Sequence, residues 1–179
     1  MTVQTLTTDR LILRKPDARD TDAAVTFFQS ERACYVGGPF SLGGAWRHFA
    51  SEIGHWDIRG YGLWAVVRKS TPDATAIGLV GAWYPADWPE FEIGWLIFDA
   101  ANQGQGFAFE AARAALGHAF TDLRQPTVVS YIDAENTASI ALAERLGATL
   151  DATARQPKPE KPCLIYRHPV PATDVRTTA

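Results

Sequence analysis

Apolar and polar positions change their period several times along the chain. In Thr8–Arg14 (TDRLILR), Leu11 and Leu13 alternate with their neighbours around Ile12, which predicts a short strand stopped by Lys15-Pro16. Asp17 then caps a helix running to about Glu31, with Ala24, Phe27 and Phe28 as its apolar stripe. Gly37-Gly38-Pro39 marks a turn. From Ser41 to about Ile58, Trp46, Phe49, Ile53 and Trp56 recur at helical spacing, and Gly60 closes that helix.

A strand-rich block follows. Leu63–Val67 and Ile77–Trp83 read as strands joined by a turn-rich Ser70–Ala74, and Phe91–Phe98 (FEIGWLIF) as a third, strongly apolar one. Strands that follow one another without helices pair antiparallel, because parallel neighbours need a crossover. The period then lengthens again. Gln105 to about Thr121 predicts a helix with Phe109, Ala112, Leu116 and Ala119 on one face and Glu110, Arg113 and Gly117 turned away. Val128–Ile132 is a strand, Asn136–Leu146 a helix ended by Gly147, Gln156–Pro162 an extended loop and Leu164–Arg167 a last strand. The expected fold is α+β: a mixed, mainly antiparallel sheet flanked by helices, with one βαβ-like crossover through Gln105–Thr121. Residues 1–168 are expected to form a single domain and 169–179 a flexible tail.

Composition narrows the function classes. With 46% hydrophobic and 21% charged residues, the chain can bury a full core without disulfides or a metal. A net charge of -3 offers no basic stripe for a nucleic acid. Cys34 and Cys163 are far apart and lack CxxC spacing, which speaks against a zinc site and fits a reducing compartment. No run is long and apolar enough for a bilayer, and the start lacks a signal pattern, so the expected setting is the cytoplasm without a membrane partner.

The informative stretch is Phe91–Ala112, a buried strand, the spacer Asp99–Asn102, a glycine-rich turn and a helix. A helix N-terminus carries unpaired N–H groups and partial positive charge, and Gly104 and Gly106 let an anion approach them. A diphosphate suits such a turn; a tight strand-to-helix connection alone also explains the glycines. No Lys-Thr or Lys-Ser pair follows, so this is not a Walker loop. A dinucleotide fold would put a glycine where Phe109 stands, although Asp133 lies where a ribose-binding acid belongs.

Gln103–Ala108 (QGQGFA) resembles the Q/R-x-x-G-x-G/A pyrophosphate motif of the GNAT acetyltransferases. Thr8–Arg14 resembles the first strand, Glu92-Ile93-Gly94-Trp95 the central strand, and Asn136-Thr137-Ala138-Ser139 with Leu146-Gly147 the last motif of the branch that includes ribosomal-protein N-terminal acetyltransferases. The resemblance spans about residues 8–167. It implies acetyl-CoA as donor and direct transfer to a primary amine in a ternary complex, with no metal. Gln103, Gly104, Gln105, Gly106, Phe107 and Ala108 would hold the diphosphate, while Leu96, Ile97, Phe98 and Asn136 would hold the pantetheine arm. Gly94 suits a bulge or a close backbone approach in the strand that must splay, or simple packing opposite Trp95.

The same resemblance implies catalytic roles for Glu92 as general base and Ser139 as the hydroxyl toward the thiolate, since Ala143 stands where many relatives carry a tyrosine. Each has a structural alternative: a salt-bridged strand acid, a small helix residue, and for Asn136 a helix cap. Tyr84, Asp87 and Trp88 are candidate substrate contacts because loops carry binding groups. His48, His55, Trp46 and Trp56 could line an acceptor pocket or belong to the core, and His118 and His168 carry no expected role. The acceptor stays open between an N-terminal peptide amine and small molecules, and the assembly between monomer and homodimer. A non-catalytic acyl-CoA-binding or sensing module is the alternative, with a nucleotide-dependent oxidoreductase third.

Overall fold

The computed structural model describes residues 5–171. Its eight strands form one sheet in the order β1-β2-β3-β4-β5-β6-β8-β7. These are β1 (Leu6–Thr7), β2 (Leu11–Arg14), β3 (Leu63–Arg68), β4 (Gly78–Trp83), β5 (Glu92–Ile97), β6 (Val129–Ile132), β7 (Thr149–Leu150) and β8 (Leu164–Arg167). The helices are α1 (Thr21–Gln29), α2 (Leu42–Arg59), α3 (Phe107–Thr121) and α4 (Thr137–Arg145). Every pairing is antiparallel except β5 with β6, which α3 connects as the predicted crossover.

Strand alternation divides the core between the two sheet faces. On one, Trp64, Val66, Val80, Ala82, Phe91 and Ile93 pack with the α3 residues Phe107, Ala111, Ala112, Ala115 and Leu116. On the other, Leu63, Ala65, Val67 and Leu79 pack with Phe27 and Phe28 of α1 and Ala45 and Phe49 of α2. The second layer is keyed to the sheet by Asp20. Its fully buried carboxylate accepts two bonds from Arg14 at 2.8 Å and one from the Ala76 amide at 2.9 Å. Such a buried pair, with Arg14 Nε left without a partner, fixes geometry more than it adds stability.

Several sequence expectations shift. Thr8–Arg10 is the turn of a β1–β2 hairpin, not strand, with the Thr8 amide donating to the Leu11 carbonyl at 3.0 Å. Asp17 does cap, but it caps a short 3-10 turn ahead of α1, which ends at Gln29. In α3, Glu110 is buried rather than turned away, while Phe109 is half-buried. Glu110 accepts from Thr8 Oγ1 at 2.5 Å, the Arg10 amide at 2.8 Å and Arg10 Nε at 2.7 Å. Burial alone would raise its pKa, but these donors hold it below the usual value. No periodicity reveals an acid buried to meet an arginine a hundred residues upstream. His118 is also buried, its Nδ1 2.8 Å from Asp122 Oδ2 and its ring edge-on to Trp64. The strand β7 was not anticipated; at two residues it is too short to show a period. Pro169–Pro171 is exposed coil, and the rest of the expected tail, 172–179, lies outside the described residues.

Candidate active site

The site begins where two strands part. Toward β4, strand β5 keeps an unbroken register of six pairs, from Trp83↔Glu92 to Gly78↔Ile97, so Gly94 makes no bulge. Toward β6 there is one bridge, Glu92↔Val129. The Val129 amide donates to the Phe91 carbonyl at 3.0 Å; at the next rung the Ser130 hydroxyl donates to the Ile93 carbonyl at 2.6 Å in place of an amide. Odd-numbered residues of β5 face β6, so the backbone N–H and C=O of Trp95 open into the gap. Arg32 donates to the carbonyls of Ile97, at 2.9 Å, and Phe98 at the far end.

His168 props the parting point. A hydroxyl has one proton, and that of Ser130 is spent on Ile93, so His168 Nε2–H donates to Ser130 Oγ at 2.9 Å. Its Nδ1 is left buried without a partner, and burial pushes the imidazole down to about 4. It stays neutral.

The open edge leads to the start of α3. Gly106 is the N-cap and provides no side-chain acceptor, and the first intrahelical bond runs from the Glu110 amide to the Gly106 carbonyl at 3.0 Å. The amides of Phe107, Ala108 and Phe109 therefore lack intrahelical partners. Gly104 and Gly106 have φ of +70° and +79°. An added Cβ would meet nothing within 4 Å at Gly104, and only Arg10 Nη2 at 3.5 Å at Gly106. The glycines are needed first for left-handed backbone, and only then for an approaching ligand. Phe107 anchors the turn between the guanidinium groups of Arg10 and Arg68, 4.6 and 5.0 Å from its ring centre. Beside it, a groove of about 360 Å³ is lined by Asp9, Arg10, Gln105, Gly106, Glu110, Phe109, Arg113 and Arg145. Arginines around an uncapped helix start make this a place for anions. The expectations did not include Arg10, Arg113 or Arg145; they are scattered in sequence and converge only on folding.

On the opposite sheet face from α3 lies Glu92. Trp88 Nε1 donates to its Oε2 at 2.6 Å, joining a predicted substrate-loop residue to the predicted base. Burial raises the Glu92 carboxyl to about 7, against the lowering effect of the Trp88 bond. Trp83, its partner across β4, stacks on His55 of α2 with ring centres 4.7 Å apart. One turn earlier on α2 stands Glu52, 3% exposed and not foreseen as a site residue. Its signal was in the sequence, since it interrupts the stripe Ala45, Phe49, Trp56 that α2 buries.

The remaining candidates divide. His55 accepts from the Tyr84 amide at 3.0 Å through Nε2, so its Nδ1–H donates to the Tyr61 carbonyl at 2.9 Å. Trp56 is buried and donates to the Leu63 carbonyl at 2.8 Å. Both are structural, whereas Trp46 is exposed and His48 Nε2 lies 3.8 Å from Glu52 Oε1. Tyr84 lies against Phe91 and under Arg59, and Asp87 is exposed at the loop tip, neither in contact with Glu92. Asn136 is the α4 cap, its Oδ1 accepting from the Ser139 amide at 3.2 Å. Ser139 Oγ accepts from Trp95 Nε1 at 3.0 Å, on the face of β5 opposite Glu92. Ala143 is fully buried, packed in a cluster with Ile132, Ala148 and Tyr166.

A parallel strand pair that opens toward an uncapped, arginine-flanked helix, with a carboxylate at the fork, defines an acyl-transfer fold. Residues 10–149 match the acetyltransferase (GNAT) domain family, and the chain belongs to that family. It resembles the acetyltransferase from Agrobacterium tumefaciens at 37% identity, covering 94% of this chain and 96% of that one, with a TM-score of 0.85. It is 30% identical over 168 residues to the uncharacterised protein YkkB of Bacillus subtilis, covering 90% and 93% of the two chains. The fold alone also matches RimL, a ribosomal L7/L12 α-N-protein acetyltransferase in complex with coenzyme A, at 19% identity and a TM-score of 0.71 over 93% and 98%. The protein is thus an N-acetyltransferase rather than a passive binding module or an oxidoreductase. No helix among the described residues is long and apolar enough to cross a membrane.

Proposed function

We propose that this protein transfers an acetyl group from acetyl-CoA directly to a primary amine, with both substrates bound at once. The observation that carries the reading is the β5–β6 pair that parts after a single bridge, followed in the chain by the uncapped amides of Phe107 and Ala108 at the start of α3. The diphosphate rests on the Gln103–Ala108 turn, with Arg10, Arg113 and Arg145 around the phosphoadenosine. The pantetheine arm lies along Trp95, Leu96, Ile97 and Phe98, near Asn136.

The acetyl thioester then reaches the fork, between Glu92 on one face of β5 and Ser139 on the other. Attack requires an uncharged amine, so Glu92 accepts the ammonium proton, directly or through one water. The amine nitrogen adds to the thioester carbonyl and gives up its second proton, the C–S bond breaks, and the thiolate takes a proton from Ser139, which regains one from that nitrogen, or from solvent. With Ala143 sealed in the core, Ser139 is the hydroxyl that α4 presents here. CoA release from acetyl-CoA, followed with a panel of primary amines, tests the reading; acetyl-CoA that neither binds nor turns over with any amine would end it.

A further inference from the structure

Glu52 has no role in that scheme, and its surroundings are unusual. It is 3% exposed, and its Oε2 is buried without a hydrogen-bond partner. Oε1 has only His48, at 3.8 Å. An unpaired carboxyl in such a place costs free energy that packing alone does not explain. The adjoining strand β6 adds a second orphan, the Tyr131 hydroxyl, whose ring meets Trp88 edge-on with centres 6.1 Å apart. Packing ties both groups to Glu92: Trp88 donates to Glu92 and meets the Tyr131 ring, and Trp83, paired with Glu92, stacks on His55 one turn past Glu52.

We propose that Glu52 and Glu92 together seat the ammonium group of the acceptor, and that the cleft selects a cationic primary amine with no carboxylate beside it. This rests on Glu92 acting as the base. Glu92 takes the transferred proton, while Glu52 supplies the negative charge that holds the nitrogen in place; Glu52 is a positioning residue. An acceptor with an anionic group near its amine would meet two carboxyls and is disfavoured.

Other charged or titratable groups face this pair. His48 comes from α2, lowered by burial and then by Lys158. Tyr131 comes from β6, raised far above its ordinary value by burial first. Lys158, 5.6 Å from the Trp88 ring, and Cys163, raised to about 11 chiefly by burial, come from the segment before β8. Burial, and then the like charge of Glu92, lifts Glu52 to about 8. An arriving R–NH₃⁺ therefore displaces a proton from Glu52 to solvent, and amine binding tightens as pH rises toward 8.

The test titrates n-butylamine and 1,4-diaminobutane calorimetrically into the CoA-loaded protein at pH 6.5 and 8, with glycine as the control that carries a carboxylate beside its amine. Wild type is expected to bind both amines with proton release, about tenfold tighter at pH 8, and to bind glycine weakly or not at all. Glu52→Gln should weaken amine binding at least tenfold and raise KM for n-butylamine with little change in kcat. It should also reduce the proton release and the tightening between pH 6.5 and 8, because the carboxyl that gives up the proton is gone. Glu52→Asp should recover part of the affinity, which a purely structural role would not produce.

Absence of amine binding by wild type, or glycine binding as well as butylamine, overturns the proposal without any variant. So does a Glu52→Gln protein with wild-type amine affinity and the same proton release at pH 6.5 and 8. Failure of Glu92 as base is read separately: Glu92→Gln would keep its kcat while Glu52→Gln still lost amine affinity.

Discussion

The donor and acceptor ends of the proposed site are built by different means. At the donor end, the groups for the ligand are backbone amides of one turn, shaped by Gly104 and Gly106 and held by Phe107 in the core. At the acceptor end they are the side chains of His48, Glu52, Trp88, Glu92 and Tyr131, drawn from α2, a loop, β5 and β6. The donor end is open and cationic, the acceptor end half-closed and acidic. A backbone site depends on φ and ψ and tolerates sequence change around it. A side-chain site depends on burial, which shifts proton affinities and makes chemistry sensitive to single substitutions.

The sharpest break should come at Glu92. Glu92→Gln retains shape but cannot take a proton, so turnover should fall about 10²-fold or more, with acetyl-CoA affinity nearly intact. The sign of the pH effect is fixed by the raised carboxyl. Only the ionised form is a base, so wild-type kcat at saturating amine should climb as pH rises through about 7 and flatten above it, a limb missing from the variant. Wild-type turnover in Glu92→Gln at pH 7 would remove it as base, and lost acetyl-CoA binding would mark it as a structural acid.

At the donor end, Gly106→Val puts a β-branched side chain at φ +79°. CoA affinity, measured by calorimetry, should drop at least tenfold, about 1.4 kcal/mol, while kcat at saturating acetyl-CoA changes less. Unchanged affinity in the folded variant would sink the placement of the diphosphate. Ser139→Ala should lower turnover about tenfold, because a CoA thiolate is a fair leaving group that water can protonate. It also frees Trp95 Nε1, so a shift in tryptophan emission is expected with it. The smallest effect belongs to Arg145→Ala. Arg145 lies at the groove rim over Phe109, 4.0 Å from the ring centre, and removing it should weaken CoA about threefold, less in high salt. A loss insensitive to salt would move Arg145 from phosphate binding to packing.

Legibility followed sequence distance. The QGQGFA turn, the helix it starts, the beginning of α2 and the Asn136 cap are local features, and each stands within a residue or two of its expected place. Glu92 stood out as an acid in an apolar strand, and Glu52 left the same kind of mark in α2 without being noticed. The stripe of α3 misled at Glu110, because its burial depends on Arg10 and Thr8. His168 and Ser130 could not be paired in advance, since only the β6–β8 ladder brings them together.

The amino-acid sequence by itself determined the main helices and strands, the crossover and the glycine-rich turn before α3. Those follow from side-chain period and glycine conformation, which act over a few residues. Tertiary structure alone decided that β5 and β6 part after a single bridge, that three distant arginines ring the turn, and that a carboxyl on α2 is sealed beside one on β5. Desolvation and charge–charge coupling depend on what packs around a group, and nothing along the chain encodes that surrounding until the sheet and its helices have closed over it.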